Sequence, residues 1–223
     1  MPRAIVTDIE GTTSSLAFVH EVLFPWSRAR LADYVAAHAD ELAPILDAVR
    51  AEADEPGLDL AGCTALLTQW HDADRKIGPL KELQGLIWTE GYASGALKGH
   101  VYADAAAGLR RWHARGIQLA VYSSGSVAAQ KLIFEHSLSG DLSGLFSGWF
   151  DTAVGGKREA GSYRRIAEAM TLPPAEILFL SDVAEELAAA SEAGMQVTLL
   201  ARGDLPEASA FPVVASFDAI LPA

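Results

Sequence analysis

Ala4-Ile5-Val6-Thr7-Asp8-Ile9-Glu10-Gly11-Thr12-Thr13 starts apolar and partly β-branched, then turns polar and glycine-bearing from Asp8 onward. The pattern predicts a buried strand over Ala4 to Val6 that runs straight into a loop. Further strands are expected at Ile117 to Tyr122, Ile177 to Leu180 and Val197 to Leu200. Helical patterns fall between them at Ala103 to Arg115, Val127 to His136 and Val183 to Glu192. Strand and helix alternate, and parallel neighbours need long, right-handed return connections. The fold class is therefore α/β, with an open, Rossmann-like parallel sheet and helices on both faces. Such sheets bind ligands beyond the carboxyl ends of their strands, so the residues just after each strand carry the functional reading.

The connection after the first strand is anomalous. Residues of about 17 to 100 separate it from the next core helix, far beyond the roughly 2 to 6 residues usual for such a link. Helical periodicity runs through the stretch at Trp26 to Ala37, Leu42 to Ala53 and Thr64 to Ala73, with Pro56-Gly57 and Gly78-Pro79 as breaks. The expected organisation is a core of residues 1–16 and 101–223 with an inserted helical cap over 17–100.

Composition narrows the class of function. Acidic residues outnumber basic ones 29 to 17 in a chain of 223 residues, for a formal charge of -12. A surface of that sign repels nucleic acid and anionic membranes and favours small-molecule substrates. An anionic substrate then needs local compensation from a divalent cation and a lysine or two. Cys63 is the only cysteine, which excludes an internal disulfide and a cysteine zinc site and fits a reducing compartment, the cytoplasm. The first residues hold no apolar run long enough for a secretory signal, and no run reaches the roughly 18 residues of a membrane span.

At the ends of the expected strands stand Asp8 with Glu10, then Ser123 with Ser124 and Gly125, then Lys157 after Gly155-Gly156, then Asp182. One carboxylate can serve as nucleophile, a second carboxyl two residues on as acid and base, and a third can share a metal with the first. Asp8 is the natural nucleophile, being ionised at neutral pH. Mg2+, which prefers oxygen ligands and keeps several waters, would be met by Asp8, Asp182 and a backbone carbonyl near Glu10. Ser123 and the amides of Gly11, Thr12, Ser124 and Gly125 are expected to surround phosphate oxygens, with Lys157 as the point charge. Each residue also has an ordinary reading, since an acid after a strand often caps the next helix and a serine-glycine loop often only turns the chain. Their occurrence together, in one order at strand ends, favours phosphoryl transfer. The six histidines lack metalloprotease spacing, no serine elbow is present, and Trp70, Trp88 and Trp112 read as core.

The order DIEGT, VYSSGS, GGKREAGSY and LFLSDV resembles the haloacid dehalogenase superfamily across the whole core. Glu10 departs from the aspartate usual at that position. With FVHEVLFPW, LQGLIWTEGY, VYSSGSVAAQKLIF and FLSDVAEELAAASEAGM, the chain closely resembles the enolase-phosphatases of methionine salvage. The resemblance implies a magnesium-dependent, usually monomeric enzyme that enolises 2,3-diketo-5-methylthiopentyl-1-phosphate and then dephosphorylates it to an acireductone. Carried over by position, it makes Asp8 and Glu10 the acid pair, Ser123 and Ser124 substrate contacts, Lys157 the phosphate lysine and Asp182 the metal carboxylate. Glu186 is a candidate to support the metal through water, and Gln84 to Tyr92 to line either the methylthio end or the hinge.

Four rivals stay open on the sequence: a phosphatase of another small metabolite, metal-free carbon–halogen cleavage on the same fold, a receiver-like phosphoacceptor switch, and a catalytically dead metabolite-binding or scaffold protein.

Overall fold

The computed structural model describes residues 1–206 and 208–222. The chain divides into two compact units, Met1–Leu16 with Lys98–Ala223, and Ala17–Leu97. In chain order the elements begin with β1 (Ala4–Thr7), α1 (Leu16–Phe18), a π-helical turn (Val19–Leu23), α2 (Phe24–Ala37), α3 (Ala43–Ala53), α4 (Leu60–Asp72) and α5 (Gly78–Ala93). They continue with α6 (Ala103–Ala114), β2 (Gln118–Tyr122), α7 (Val127–Glu135), β3 (Gly148–Phe150), α8 (Ala160–Ala169), β4 (Ile177–Ser181), α9 (Ala184–Glu192), β5 (Gln196–Leu200) and β6 (Val213–Val214).

The first unit is a parallel six-stranded sheet in the order β3-β2-β1-β4-β5-β6. β1 is buried on both faces, as its unbroken apolar run requires. Ala4 and Val6 join a cluster with Tyr163, Ile166, Phe179 and Leu187. The alternate residues Ile5, Leu119 and Val121 are buried on the opposite face, where α6 packs on β2. There Trp112 stacks on Phe217 with ring centroids 5.2 Å apart. Each such fully buried apolar side chain contributes about 1.5–3 kcal/mol.

The second unit has its own core of Leu31, Val35, Leu46, Val49, Leu67, Leu83 and Ile87. Asp59 caps α4 by accepting from the Gly62 amide at 2.7 Å, and α3 stops where Asp54 turns left-handed just before Pro56-Gly57. Gly78-Pro79, expected as a break, instead opens α5, because proline fits the first turn of a helix, where its missing N–H has no partner to lose. Trp70, Trp88 and Trp112 are buried, at 4%, 8% and 0% exposure, as core residues should be. Among the described residues no helix is long and apolar enough to cross a membrane.

Candidate functional site

Register places the site. Thr7 pairs with Val121 on one side and Leu180 on the other, so Asp8 lies level with Tyr122 and Ser181, and Ser123 and Asp182 follow one residue further on. The central strand and its two neighbours thus deliver their first post-strand residues to one sheet edge. The Asp8 amide still donates to Leu180 O at 2.9 Å, which fixes where the aspartate leaves the sheet.

The loop after β1 is wound around one carbonyl. The amides of Thr12, Thr13 and Ser14 all donate to Ile9 O, at 3.2, 3.0 and 2.8 Å. The hydroxyls of Thr7 and Thr13 donate to Asp8 O at 3.0 and 3.1 Å. Gly11 has φ +74, and a Cβ there would overlap the Asp182 carboxylate, so both conformation and space demand glycine. Thr12 Oγ1 donates to Asp182 Oδ1 at 3.3 Å. Asp182 itself does not cap α9, whose N-cap is Val183 with no side-chain bond; likewise Ser126, not Ser123 or Ser124, caps α7. The ordinary capping explanation therefore fails for Asp182, whereas Ser123 does take part in the turn of its loop, its Oγ accepting from the Gly125 amide.

Lys157 Nζ lies 2.6 Å from Asp8 Oδ1 and 2.7 Å from Glu186 Oε2, with all three side chains largely buried. Glu186 Oε2 also accepts from Ser181 Oγ at 2.9 Å, so this oxygen serves the lysine and the strand end. Burial works against the Lys157 ammonium, but Asp8 and Glu186 outweigh it and hold its pKa above the ordinary lysine value. Burial, then repulsion from Asp8, pushes Asp182 above the usual carboxylate range, against the opposing help of Thr12 and Lys157. Burial and Asp8 likewise raise Glu186. Asp8 therefore acts electrically on both Asp182 and Glu186.

Some expectations need correction. The Thr12 amide is spent on Ile9 O, and the Gly125 amide donates to Ser123 Oγ at 3.3 Å, so neither points wholly outward to a ligand. Ser123 is buried while Ser124 is exposed. Glu10 is half-buried, with its backbone in an isolated bridge to Ser14. Among the described residues no group of three or more His, Cys, Asp or Glu side chains is gathered around one point, which bears on side chains alone and leaves the expected Asp8, Asp182 and Glu10 backbone carbonyl set untouched. Within Gln84 to Tyr92, Ile87, Trp88 and Tyr92 are buried, Ile87 in the core of the helical unit, and Trp88 Nε1 donates to Leu23 O at 2.8 Å.

Supporting residues that the sequence did not flag surround these groups. Tyr122 and Ser162 hydroxyls donate to Gly155 O and Gly156 O at 2.8 Å each, and Tyr163 donates to Lys157 O at 2.7 Å. Three hydroxyls thus fix the backbone that aims the lysine. Gln130 Nε2 donates to Gly125 O at 2.8 Å and Phe150 O at 2.9 Å, tying the serine loop to β3. Both partners are carbonyls, so only the amide nitrogen can face them.

A buried carboxylate paired with a lysine lies beyond the carboxyl ends of the parallel sheet, and residues 2–194 match the family described as haloacid dehalogenase-like hydrolase. The chain is 56% identical over 223 residues to enolase-phosphatase E1 of Pseudomonas aeruginosa strain LESB58, covering 98% of each chain. It is 54% identical to the protein of the same name from Methylococcus capsulatus, over 100% of this chain and 99% of the relative. The crystal structure of UTR4 protein from Saccharomyces cerevisiae superposes with a TM-score of 0.85 at 31% identity, covering 99% of this chain and all of that one. A dehalogenase crystal structure shares the fold at a TM-score of 0.57 and 20% identity, over 97% of this chain and 94% of that one. The chain belongs to the haloacid dehalogenase-like hydrolases and, within them, to the enolase-phosphatases.

Proposed function

We propose that the chain converts 2,3-diketo-5-methylthiopentyl-1-phosphate to an acireductone in methionine salvage, enolising the substrate and then removing its phosphate through an aspartyl-phosphate on Asp8. The observation that carries the phosphatase half is the 2.6 Å contact of Lys157 with buried Asp8 at the sheet edge. The substrate is inferred from relatives named enolase-phosphatase at 56% and 54% identity.

In this reading an Asp8 oxygen attacks phosphorus while the phosphorus–ester oxygen bond breaks, and Glu10 gives its proton to the leaving oxygen. Glu10 then takes a proton from the water that cleaves the aspartyl-phosphate, which returns Asp8 and releases phosphate. Lys157 offsets charge on the phosphoryl oxygens, and Ser123 and Ser124 orient them. Glu186 and Ser181 keep the ammonium at that spot between turnovers.

Magnesium fits the residues present: the donors are all oxygen, and burial first, then repulsion from Asp8, raises Asp182, so a cation between the two carboxylates would relieve the strain. The two carboxylates and the Glu10 backbone carbonyl would hold the ion, which supplies the positive charge that lets an anionic phosphate approach an anionic nucleophile. We assign to residues 17–97 the role of a cap that excludes bulk water during enediol formation, on the grounds of their insertion after the first site loop. The single, buried cysteine and the acidic surface suit a monomer working in the cytoplasm.

The test is incubation of the diketo phosphate with enzyme and Mg2+, following phosphate release and the ultraviolet absorbance of enol products. Wild type should give both signals, and Asp8→Asn should release no phosphate. Phosphate release by Asp8→Asn at the wild-type rate overturns the assignment.

A further inference from the structure

Arg202, just beyond β5, sends two of its nitrogens to one backbone carbonyl. Its Nε and Nη2 donate to Thr12 O at 3.0 and 2.7 Å, and its Nη1 donates to Asp104 Oδ2 at 2.6 Å. Asp104 Oδ2 is fixed in turn by the Phe217 amide at 2.8 Å. The guanidinium lies 4.3 Å from the Tyr102 ring centre and 5.1 Å from that of Phe217. The Tyr102 amide takes the next carbonyl, Thr13 O, at 2.9 Å. Thr12 is therefore pinned at both ends of its backbone, its amide on Ile9 O and its carbonyl on Arg202. With the backbone fixed, its hydroxyl is delivered to Asp182 Oδ1.

We propose that Arg202 is a positioning residue for the first site loop: by gripping the Thr12 carbonyl it holds the Thr12 hydroxyl on the Asp182 carboxylate and so sets that carboxylate against Asp8. The proposal rests on the reading of Asp8 and Asp182 as the reacting and metal-side acids. A brace for the fold alone would need only the ion pair with Asp104 and the two rings; the double donation to Thr12 O adds directional control of the loop. A lysine cannot reproduce it, because an ammonium is a point charge without the planar fork.

The experiment compares wild type, Arg202→Ala, Arg202→Lys and Asp8→Asn as full chains. Hydrogen exchange of the metal-free proteins should show faster exchange at the Thr12, Thr13 and Ser14 amides in both Arg202 variants, with α8 unchanged. Calorimetric Mg2+ affinity should fall roughly tenfold, as for other groups that orient metal ligands. With the diketo phosphate, kcat should fall about 10- to 100-fold with KM nearly unchanged, the scale of a misplaced reacting group. Added guanidinium should restore part of kcat in Arg202→Ala and none in Asp8→Asn. Arg202→Lys keeps the charge and the stem, so it should melt closer to wild type yet share the loss of kcat. Variants that melt earlier but retain wild-type kcat and Mg2+ affinity overturn the proposal and leave Arg202 a brace. Turnover by Asp8→Asn overturns the underlying reading, and the Arg202 role with it, whatever the Arg202 variants do.

Discussion

Lys157 Nζ lies 2.7 Å from Glu186 Oε2, so the ammonium that meets Asp8 is also anchored from α9. One cation shared by two buried carboxylates is stable only while it remains. Lys157→Met should leave Asp8 and Glu186 without their shared cation, Glu186 keeping Ser181 Oγ, and lose phosphatase activity by roughly 100-fold or more. Like-charge repulsion raises carboxylate pKa values in the folded variant, so its stability is greatest at acid pH and is lost as pH rises through those raised values. Urea unfolding from pH 4 to 8 checks the sign: relative to wild type, the variant should worsen toward pH 8.

Gly11→Ala puts a Cβ into the Asp182 carboxylate at a left-handed backbone position. The expected cost is about 1–3 kcal/mol, with activity falling further than stability because the displaced group belongs to the site. A thermal melt and a turnover assay on the same preparation separate the two effects. Wild-type turnover in the variant contradicts the packing.

His71 tests the helical unit independently of the chemistry. It is buried at 8% exposure, with Nε2 3.0 Å from Ser27 Oγ. Desolvation lowers its pKa, against the weaker pull of Asp72. A base whose folded pKa is depressed contributes stability that is present above the unfolded value and is lost as pH falls toward the folded one. The loss should therefore begin near pH 6.5, about the unperturbed histidine value. His71→Phe should flatten the slope of urea stability between pH 7 and 5.

Chelation tests the magnesium requirement of the reaction. Removing divalent ions should abolish phosphate release, and added Mg2+ should restore it. Undiminished phosphate release in chelator would contradict the magnesium requirement.

The sheet was legible because its central strands are long enough to carry a pattern: β1, β2, β4 and β5 fall within one residue of expectation at every end. The edge strands Gly148–Phe150 and Val213–Val214 are too short for periodicity to register, and α8 begins inside what reads as a glycine-rich loop. That Asp8 and Asp182 directly follow β1 and β4 was legible because the apolar runs stop just before them, and Lys157 meets Asp8 as the expected convergence on one crevice requires. The amides of Thr12 and Gly125 were misjudged because only coordinates reveal that Ile9 O and Ser123 Oγ claim them. Arg202 had no local signature at all: its partner carbonyl lies 190 residues earlier in the chain. Glu186 was visible as an acid four residues after Asp182, yet its contact with Lys157 depends on how α9 meets the loop after β3.

The most direct measurement is mass spectrometry of acid-quenched Glu10→Gln after incubation with the diketo phosphate and Mg2+. Loss of the acid–base group should slow hydrolysis of the covalent species, leaving one phosphoryl group on the peptide that contains Asp8 and none in an Asp8→Asn control. Phosphate release with no label ever found on that peptide, or label on another residue, would contradict the account.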